Sequence, residues 1–399
     1  MNLLIVTECF HPDIYAVNDI VKTLVSRGHK VTVLTGLPDY TTSYIPEEYK
    51  HGKNRHQDFY GAEVFRVPTI ARRHGAVFRA FSYLSFAING WFAAKFRRWE
   101  EFDAIYVWEV SPVTMAVPAI ALKNRYKKPL FLYCMDIWPE SVKAMGFREG
   151  TLSYRLIHRW SSSIYRRCDH IAVSSRPFFS YLEEVNGISL SKMSYLPQYA
   201  SEELLGEDFT KTGYRGIATQ EPEGEKQRER ITDRHTDFLY IGNIGKAQNL
   251  DCLIRAAAIL KDREDVTFHI IGGGSEYESM VTLAKETGAE RILRFYGPKS
   301  AEEAKSYYRI ADACVLTLDG KNRIGDTLPG KLQTYMAAGK PVFGAINGAG
   351  REIIGESGCG RAVHAGDVEG FAGILKDFME NPEKYRDCGE KARTYFRTH

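Results

Sequence analysis

The chain has 399 residues, 44% of them apolar, enough to build two or three packed cores. Its 53 Lys and Arg against 50 Asp and Glu leave a net charge of +3, which excludes a histone-like or polyanion-coating protein. The halves differ: residues 1–200 carry a net +7 and residues 201–399 a net −4.

The N-terminal MNLLIVTECFHP has too short an apolar run for a signal peptide and reads as a first strand, LLIVT at 3–7. A helix follows with Val17, Ile20, Val21, Leu24 and Val25 on one face and Gly28 placed to end it. With VTVLT (31–35) this makes one βαβ unit. Further strands are expected at AIYV (104–107), LFLYC (130–134) and IAVS (171–174). From Glu202 to Asp237 the composition turns polar and charged, predicting a linker or exposed loop at 201–237. The pattern then restarts with FLYI (238–241), VTFHII (266–271), ILRFY (292–296), ACVLT (313–317) and PVFGA (341–345). Short apolar runs alternating with amphipathic stretches predict an α/β protein of two parallel-sheet domains, 1–200 and 238–399. The seven cysteines stand at no metal-knuckle or redox-motif spacing and read as reduced, mostly buried thiols. No run is comfortably long enough to span a bilayer, so the expected location is cytoplasmic.

Residues 64–99 contain no Asp or Glu but seven cations, Arg66, Arg72, Arg73, Arg79, Lys95, Arg97 and Arg98. Interleaved are Phe78, Phe81, Tyr83, Phe86, Trp91, Phe92, Phe96 and Trp99. The clustered arginines suit an anionic membrane surface or a lipid diphosphate, whereas core packing is the stronger account of the aromatics. A second basic cluster, Arg155, His158, Arg159, Arg166 and Arg167 with Trp160, extends the pattern. No nucleic-acid-binding motif accompanies it.

Three glycine turns carry the chemistry. In GDTLPGKLQTYMAAGKP (325–341), Thr327 is placed to cap a helix of about three turns that holds Pro329 in its first turn and ends at Gly339. Lys331 in the first turn opposes the helix dipole, which is reasonable where an anion lies between them. The alternative is a solvated surface lysine. Gly330-Lys331 imitates a P-loop, but Leu332 stands where a Ser or Thr would hold magnesium. HIIGGGSEY (269–277) places Gly272 and Gly273 after a strand without dinucleotide-fingerprint spacing, so nicotinamide chemistry is not supported. GNIGKAQN (242–249) places Gly242, Asn243, Gly245 and Lys246 at another strand end, the position of a ligand crevice in an open parallel sheet. In DIWPES (136–141), Asp136 is a candidate for binding an acceptor hydroxyl or stabilising an oxocarbenium-like centre, and equally for capping a helix; Glu109 has similar edge geometry.

Taken together, HPDI, RGHKVTVLTG, DIWPES, GNIGKAQ, the 266–317 block and LPGKLQTYMAAGKP resemble the family 4 glycosyltransferases of the GT-B fold, over nearly the whole chain. The subgroup is similar to bacterial enzymes building capsule, O-antigen or exopolysaccharide repeat units. The resemblance implies two Rossmann-like domains facing across a cleft, acceptor mainly on the first and donor on the second. It implies retaining transfer of a sugar from a nucleotide diphosphate donor, a UDP-sugar, to a lipid-diphosphate-linked glycan, on the inner face of the plasma membrane. Fixed donors aimed at the leaving diphosphate stabilise its growing charge, so no metal or other cofactor is expected. The family's acidic pair falls on Asp326 and Thr334, and its Arg and Lys after the first C-domain strand fall on Asn243 and Gln248. That leaves Lys331, with Lys246, to meet the diphosphate; Glu352 matches a family loop position near the donor. The missing second acid keeps open a non-catalytic nucleotide-sugar-binding subunit of a polysaccharide synthase complex. A nucleotide-sugar epimerase of the same fold is the rival enzyme, but its expected cleft acids and histidines are not found. The family's last helix crosses back to the first domain; here the sequence stops at RTYFRTH, so that helix is expected to be short or cut off.

Overall fold

A computed structural model describes residues 1–39, 44–72, 76–200, 203–209, 235–320 and 323–399. The chain divides into two units, Met1–Leu196 and Pro197–His399. In the first, β1 (Asn2–Val6), α1 (Ala16–Ser26), β2 (Lys30–Thr35), β3 (His56–Phe59), β4 (Ala62–Arg66), α2 (Ala76–Phe96) and β5 (Ala104–Glu109) are followed by α3 (Val117–Tyr126), β6 (Leu130–Cys134), α4 (Leu152–Arg167), β7 (His170–Val173), α5 (Pro177–Glu184) and β8 (Met193–Tyr195). Its eight strands lie in the order β3-β4-β2-β1-β5-β6-β7-β8, all parallel except β3, which runs antiparallel to β4. The second unit holds α6 (Glu203–Gly206), β9 (Thr236–Ile241), α7 (Leu250–Ile259), β10 (Val266–Ile271), α8 (Tyr277–Glu286), β11 (Leu293–Phe295) and α9 (Ala301–Ile310). It continues with β12 (Ala313–Thr317), α10 (Gly330–Ala337), β13 (Val342–Ala345), α11 (Gly348–Ser357), β14 (Gly360–Val363), α12 (Val368–Glu380) and α13 (Cys388–Thr398). Its six strands are parallel, in the order β11-β10-β9-β12-β13-β14.

The strands are continuous apolar runs because both faces of a parallel sheet are covered by helices. Leu4, Val6, Ile105, Val107 and Leu132 face the layer formed with α2 to α5, while Ile5, Val31 and Val33 face α1. All seven cysteines are free and buried.

Three expectations change. Of the stretch 201–237, residues 201–202 and 210–234 lie outside the described residues, but Leu204 and Phe209 are buried in a core with Leu332, Tyr335 and Met336, so that part belongs to the second unit. The basic stretch 64–99 is not one cationic face. Arg66 is buried, donating to the Gly36 carbonyl (3.0 Å), the Gln57 side chain (3.1 Å) and the His11 carbonyl. Arg97 lies over the Phe65 ring and reaches Glu63 at 3.4 Å, and Arg72 donates to the Tyr83 hydroxyl at 3.0 Å. Arg73 and the Arg79 side chain lie outside the described residues. The aromatics of α2 and its flank divide: Tyr83, Phe86 and Trp99 are core, whereas Phe78, Phe81, Phe92 and Phe96 join Leu84 and Ile88 in a stripe 39–68% exposed. Among the described residues no helix is long and apolar enough to cross a membrane.

Candidate functional site

In an open parallel sheet the ligand crevice lies at the carboxyl ends of the strands where the order reverses. In the second unit that point is between β9 and β12. Around it stand the turn after β9, the turn after β10 and the start of α10.

The first two turns interlock through glycine. A Cβ on Gly272 (φ +136°) would stand 1.9 Å from the Gly242 carbonyl oxygen, and one on Gly274 (φ +152°) 2.4 Å from that of Ile244. Only glycine permits that approach at those angles. The Gly242 N–H donates to Ile271 (2.9 Å) and the Ile244 N–H to Gly273 (2.8 Å). Gln248 accepts from the Gly245 N–H and from the Asn243 side chain, both at 3.1 Å. The amides of Gly242 and Gly245 are therefore engaged inside the turn and hold its shape. Lys246 is exposed beside them, and Gly273 packs toward Pro298.

The helix carrying Lys331 is shorter than the sequence suggests. Thr327 does not cap it; Pro329, extended at φ −74° and ψ 127°, is the N-cap and the helix begins at Gly330. Proline fits there because the first turn leaves its N–H groups without helical acceptors. Gly339 (φ +68°) ends the helix, with its N–H on Met336 and that of Lys340 on Tyr335. The expected three turns are two. Gly330 admits the Gln198 side chain, whose Oε1 would be 3.2 Å from a Cβ there. Thr334, at the position of the family's second acid, turns its hydroxyl back onto the Gly330 carbonyl at 3.0 Å. Asp326 closes the 3₁₀ turn Arg323–Asp326, and its side chain lies outside the described residues.

Lys331 is not a solvated surface lysine. Its half-buried side chain runs against Gly242, where a Cβ would stand 2.1 Å from Lys331 Cε. Its Nζ donates to the Tyr240 hydroxyl at 2.7 Å, lies 3.5 Å from the Asn243 carbonyl and sits 4.5 Å from the Tyr240 ring centroid. Burial lowers its pKa to about 7. Sequence reasoning missed Tyr240, whose place in the apolar run FLYI marks it only as core. Glu352 is exposed in the first half of α11. That helix packs close to the start of α10: a Cβ on Gly350 would lie 3.5 Å from Pro329 Cδ.

Asp136 belongs to the first unit. Its Oδ1 accepts from the Ile137 N–H (2.9 Å) and from the Ser141 hydroxyl, so it braces the turn that leads into Glu140–Met145. Glu109, fully buried at the end of β5, is pushed well above the usual carboxylate range by burial and by Asp136. At the end of β1, Glu8 is raised to about 7 by burial, which outweighs the attraction of Arg72. Among the described residues no group of three His, Cys, Asp or Glu is placed to hold a metal ion.

The model for a "Glycosyl transferase 4-like domain" matches residues 15–198, and that for "Glycosyl transferases group 1" matches residues 222–395. The chain is 22% identical over 349 residues to the protein named as the colanic acid biosynthesis glycosyl transferase WcaI of Escherichia coli K12, covering 85% of this chain and 82% of that one. It is 26% identical over 270 residues to the glycosyltransferase WbjE of Pseudomonas aeruginosa, covering 67% and 63%. Among solved structures, Anabaena HepE in complex with UDP superposes with a TM-score of 0.68 at 15% identity, covering 100% of this chain and 95% of that one.

Proposed function

We propose, for a chain that belongs to the family 4 glycosyltransferases of the GT-B fold, transfer of a sugar from a UDP-sugar to a lipid-diphosphate-linked glycan, with retention, in the assembly of a bacterial surface polysaccharide. The observation that carries the donor assignment is Lys331: a lysine in the first turn of α10, its stem fitted into the space left by Gly242, at the strand-order reversal of the second unit. Breaking the bond between the anomeric carbon and the β-phosphate oxygen leaves both bonding electrons on the diphosphate. Lys331 and the first-turn amides of α10 meet that charge, which is greater in the transition state than in the bound donor. The acceptor oxygen bonds to the anomeric carbon on the face the diphosphate leaves, and its proton passes to the departing phosphate oxygen. Lys246 and Glu352 stand at the same sheet edge, for the diphosphate and the sugar respectively. The naming of WcaI for colanic acid biosynthesis and the UDP bound to HepE support the pathway and the nucleotide.

The lipid-linked acceptor implies a membrane. The exposed stripe of α2 and the exposed Leu152, Leu156 and Trp160 of α4 flank exposed cations Lys95, Arg98, Arg155 and Arg159, with no carboxylate in residues 64–99 or 152–167. Apolar side chains among cations suit shallow seating in the headgroup layer of an anionic bilayer, on its cytoplasmic face.

The test is a screen of nucleotide sugars by thermal stabilisation, followed by transfer to a lipid-diphosphate glycan. A donor at 100 times its Kd stabilises by about 2.7 kcal/mol, equivalent to roughly 5–10 °C. No stabilisation by any UDP-sugar removes the donor assignment. Binding without transfer to any acceptor favours the non-catalytic subunit.

A further inference from the structure

The side chains around Lys331 make a hydrogen-bond chain whose direction is fixed. The Asn243 carbonyl only accepts, so the Tyr240 hydroxyl gives its proton there at 2.7 Å and presents its oxygen to Lys331 Nζ at 2.7 Å. An ammonium has three N–H groups to place. This pocket gives it one good acceptor in Tyr240, a second contact at 3.5 Å to the Asn243 carbonyl, and the Tyr240 ring face. From the glycine packed against it, Gly242, comes no side chain at all. Among the described residues, Tyr240 is the titratable group in contact with Lys331 and no carboxylate or second cation contributes to its titration, which burial lowers. The arrangement suits an uncharged amine with one N–H engaged, and under-provides for the charged form.

We propose that Tyr240 is a positioning residue for Lys331, and that the donor diphosphate binds together with one proton, which the Lys331 amine takes from solvent. This rests on the diphosphate assignment above and adds to it the state of the site before the donor arrives. The phosphate oxygens supply the further acceptors and the negative charge that Tyr240 and the Asn243 carbonyl do not, so the bound lysine holds its proton far more firmly than the free one. The amine's lone pair takes the proton, and the resulting ammonium keeps one N–H on Tyr240 while the others turn to the phosphate. The sign follows from the lowered value near 7 in the free protein: affinity is greatest below it and falls as pH rises above it, by up to tenfold per unit, until the proton leaves the bound lysine also.

Calorimetry with UDP between pH 7 and 9, where its terminal phosphate is already ionised, tests this. In buffers of different ionisation enthalpy the wild type should take up close to one proton per UDP at pH 8, and its Kd should rise about 50-fold across the range. Lys331→Arg, charged throughout, should bind with a Kd independent of pH. Tyr240→Phe keeps the ring and loses the acceptor. Its Kd, followed in parallel with wild type down to pH 5 so that the ionisation of UDP cancels in the ratio, should begin to rise about one pH unit lower, equal to wild type at pH 5 and roughly tenfold weaker at pH 8. A merely structural tyrosine would instead change affinity equally at every pH. No proton uptake, or the same pH dependence in Lys331→Arg, overturns the proton linkage; an unmoved midpoint in Tyr240→Phe overturns the role of Tyr240. Failure of the wild type to bind UDP at any pH overturns the diphosphate assignment instead.

Discussion

Gly242→Ala strikes the candidate site without replacing a charged residue. A methyl at this position would stand 2.1 Å from Lys331 Cε and 3.1 Å from Nζ. The backbone cannot retreat, because the Gly242 N–H is bonded to Ile271 and its carbonyl oxygen abuts Gly272. The lysine must leave Tyr240. Two separable costs follow. Holding alanine at φ +146° strains the backbone by about 1–3 kcal/mol, a loss of stability read by thermal unfolding. Removing Lys331 from the diphosphate forfeits a charge-assisted hydrogen bond of about 1.5–3 kcal/mol, a 10- to 150-fold rise in the Kd for UDP. Calorimetry at pH 7 on Gly242→Ala, Lys331→Ala and the double variant distinguishes a shared cause from two independent ones. Because both single changes remove the same contact, the double variant should bind within about threefold of the weaker single. Wild-type affinity in Gly242→Ala, or fully additive losses in the double variant, would refute the placement of Lys331 against this glycine.

Three further outcomes are expected. Gly90→Ala should destabilise the first unit by about 1–2 kcal/mol in denaturant titration, since its Cβ would stand 2.5 Å from Pro118 Cγ where α2 meets α3, and overpacking outweighs the gain in helix propensity; unchanged stability would mean that the two helices have slack. Phe81→Ser with Phe92→Ser, both on the exposed stripe, should leave the melting temperature alone yet reduce cosedimentation with phosphatidylglycerol vesicles at least tenfold; equal cosedimentation would remove α2 from the membrane surface. Glu8 keeps its proton to about pH 7 in the folded chain, so its stabilising difference is intact below the unfolded value near 4.5 and is lost as pH rises through 7. Glu8→Gln should therefore gain on wild type by about 3 kcal/mol between pH 4.5 and 8, and parallel pH profiles of the two proteins would sink that account.

The parallel core was legible because strands covered on both faces must be apolar at every position. β1, β2, β5, β6, β9, β10 and β12 all announce themselves in that way. The edge strands other than β11 do not. In β3 and β4, HQDF and AEVFR carry polar residues at alternate positions, and the turn between them is closed by the Gly61 N–H on the Asp58 carboxylate at 3.1 Å. β8 and β14 are three and four residues long and border the sheets. In α2 the composition shows a run rich in aromatics, but not which ones face inward. Register decides that: residues 83, 86, 87 and 94 point to the core while 78, 81, 84, 88, 92 and 96 follow the opposite face at spacings of three and four. Arg66 was read as a surface cation because its carbonyl partners, Gly36 and His11, are 30 and 55 residues away.

The site divides along the same line between local and distant information. The glycine turns and the lysine of α10 are visible in the sequence because each depends on a short segment: a positive φ, a helix end, a strand just finished. What Lys331 does there depends on Tyr240, 91 residues earlier, and on Gly242 two residues beyond that. These meet only because β12 returns to the side of β9 away from β10, setting the start of α10 against the end of the first strand of the unit. The sequence shows a cation at the wrong end of a helix, where the dipole opposes it. The fold adds that this lysine has one strong hydrogen-bond acceptor and, among the described residues, no counter-charge contributing to its titration, so its proton is loosely held. A site built in that way discriminates by charge, because a neutral ligand cannot restore what burial removes from the lysine, whereas a diphosphate can.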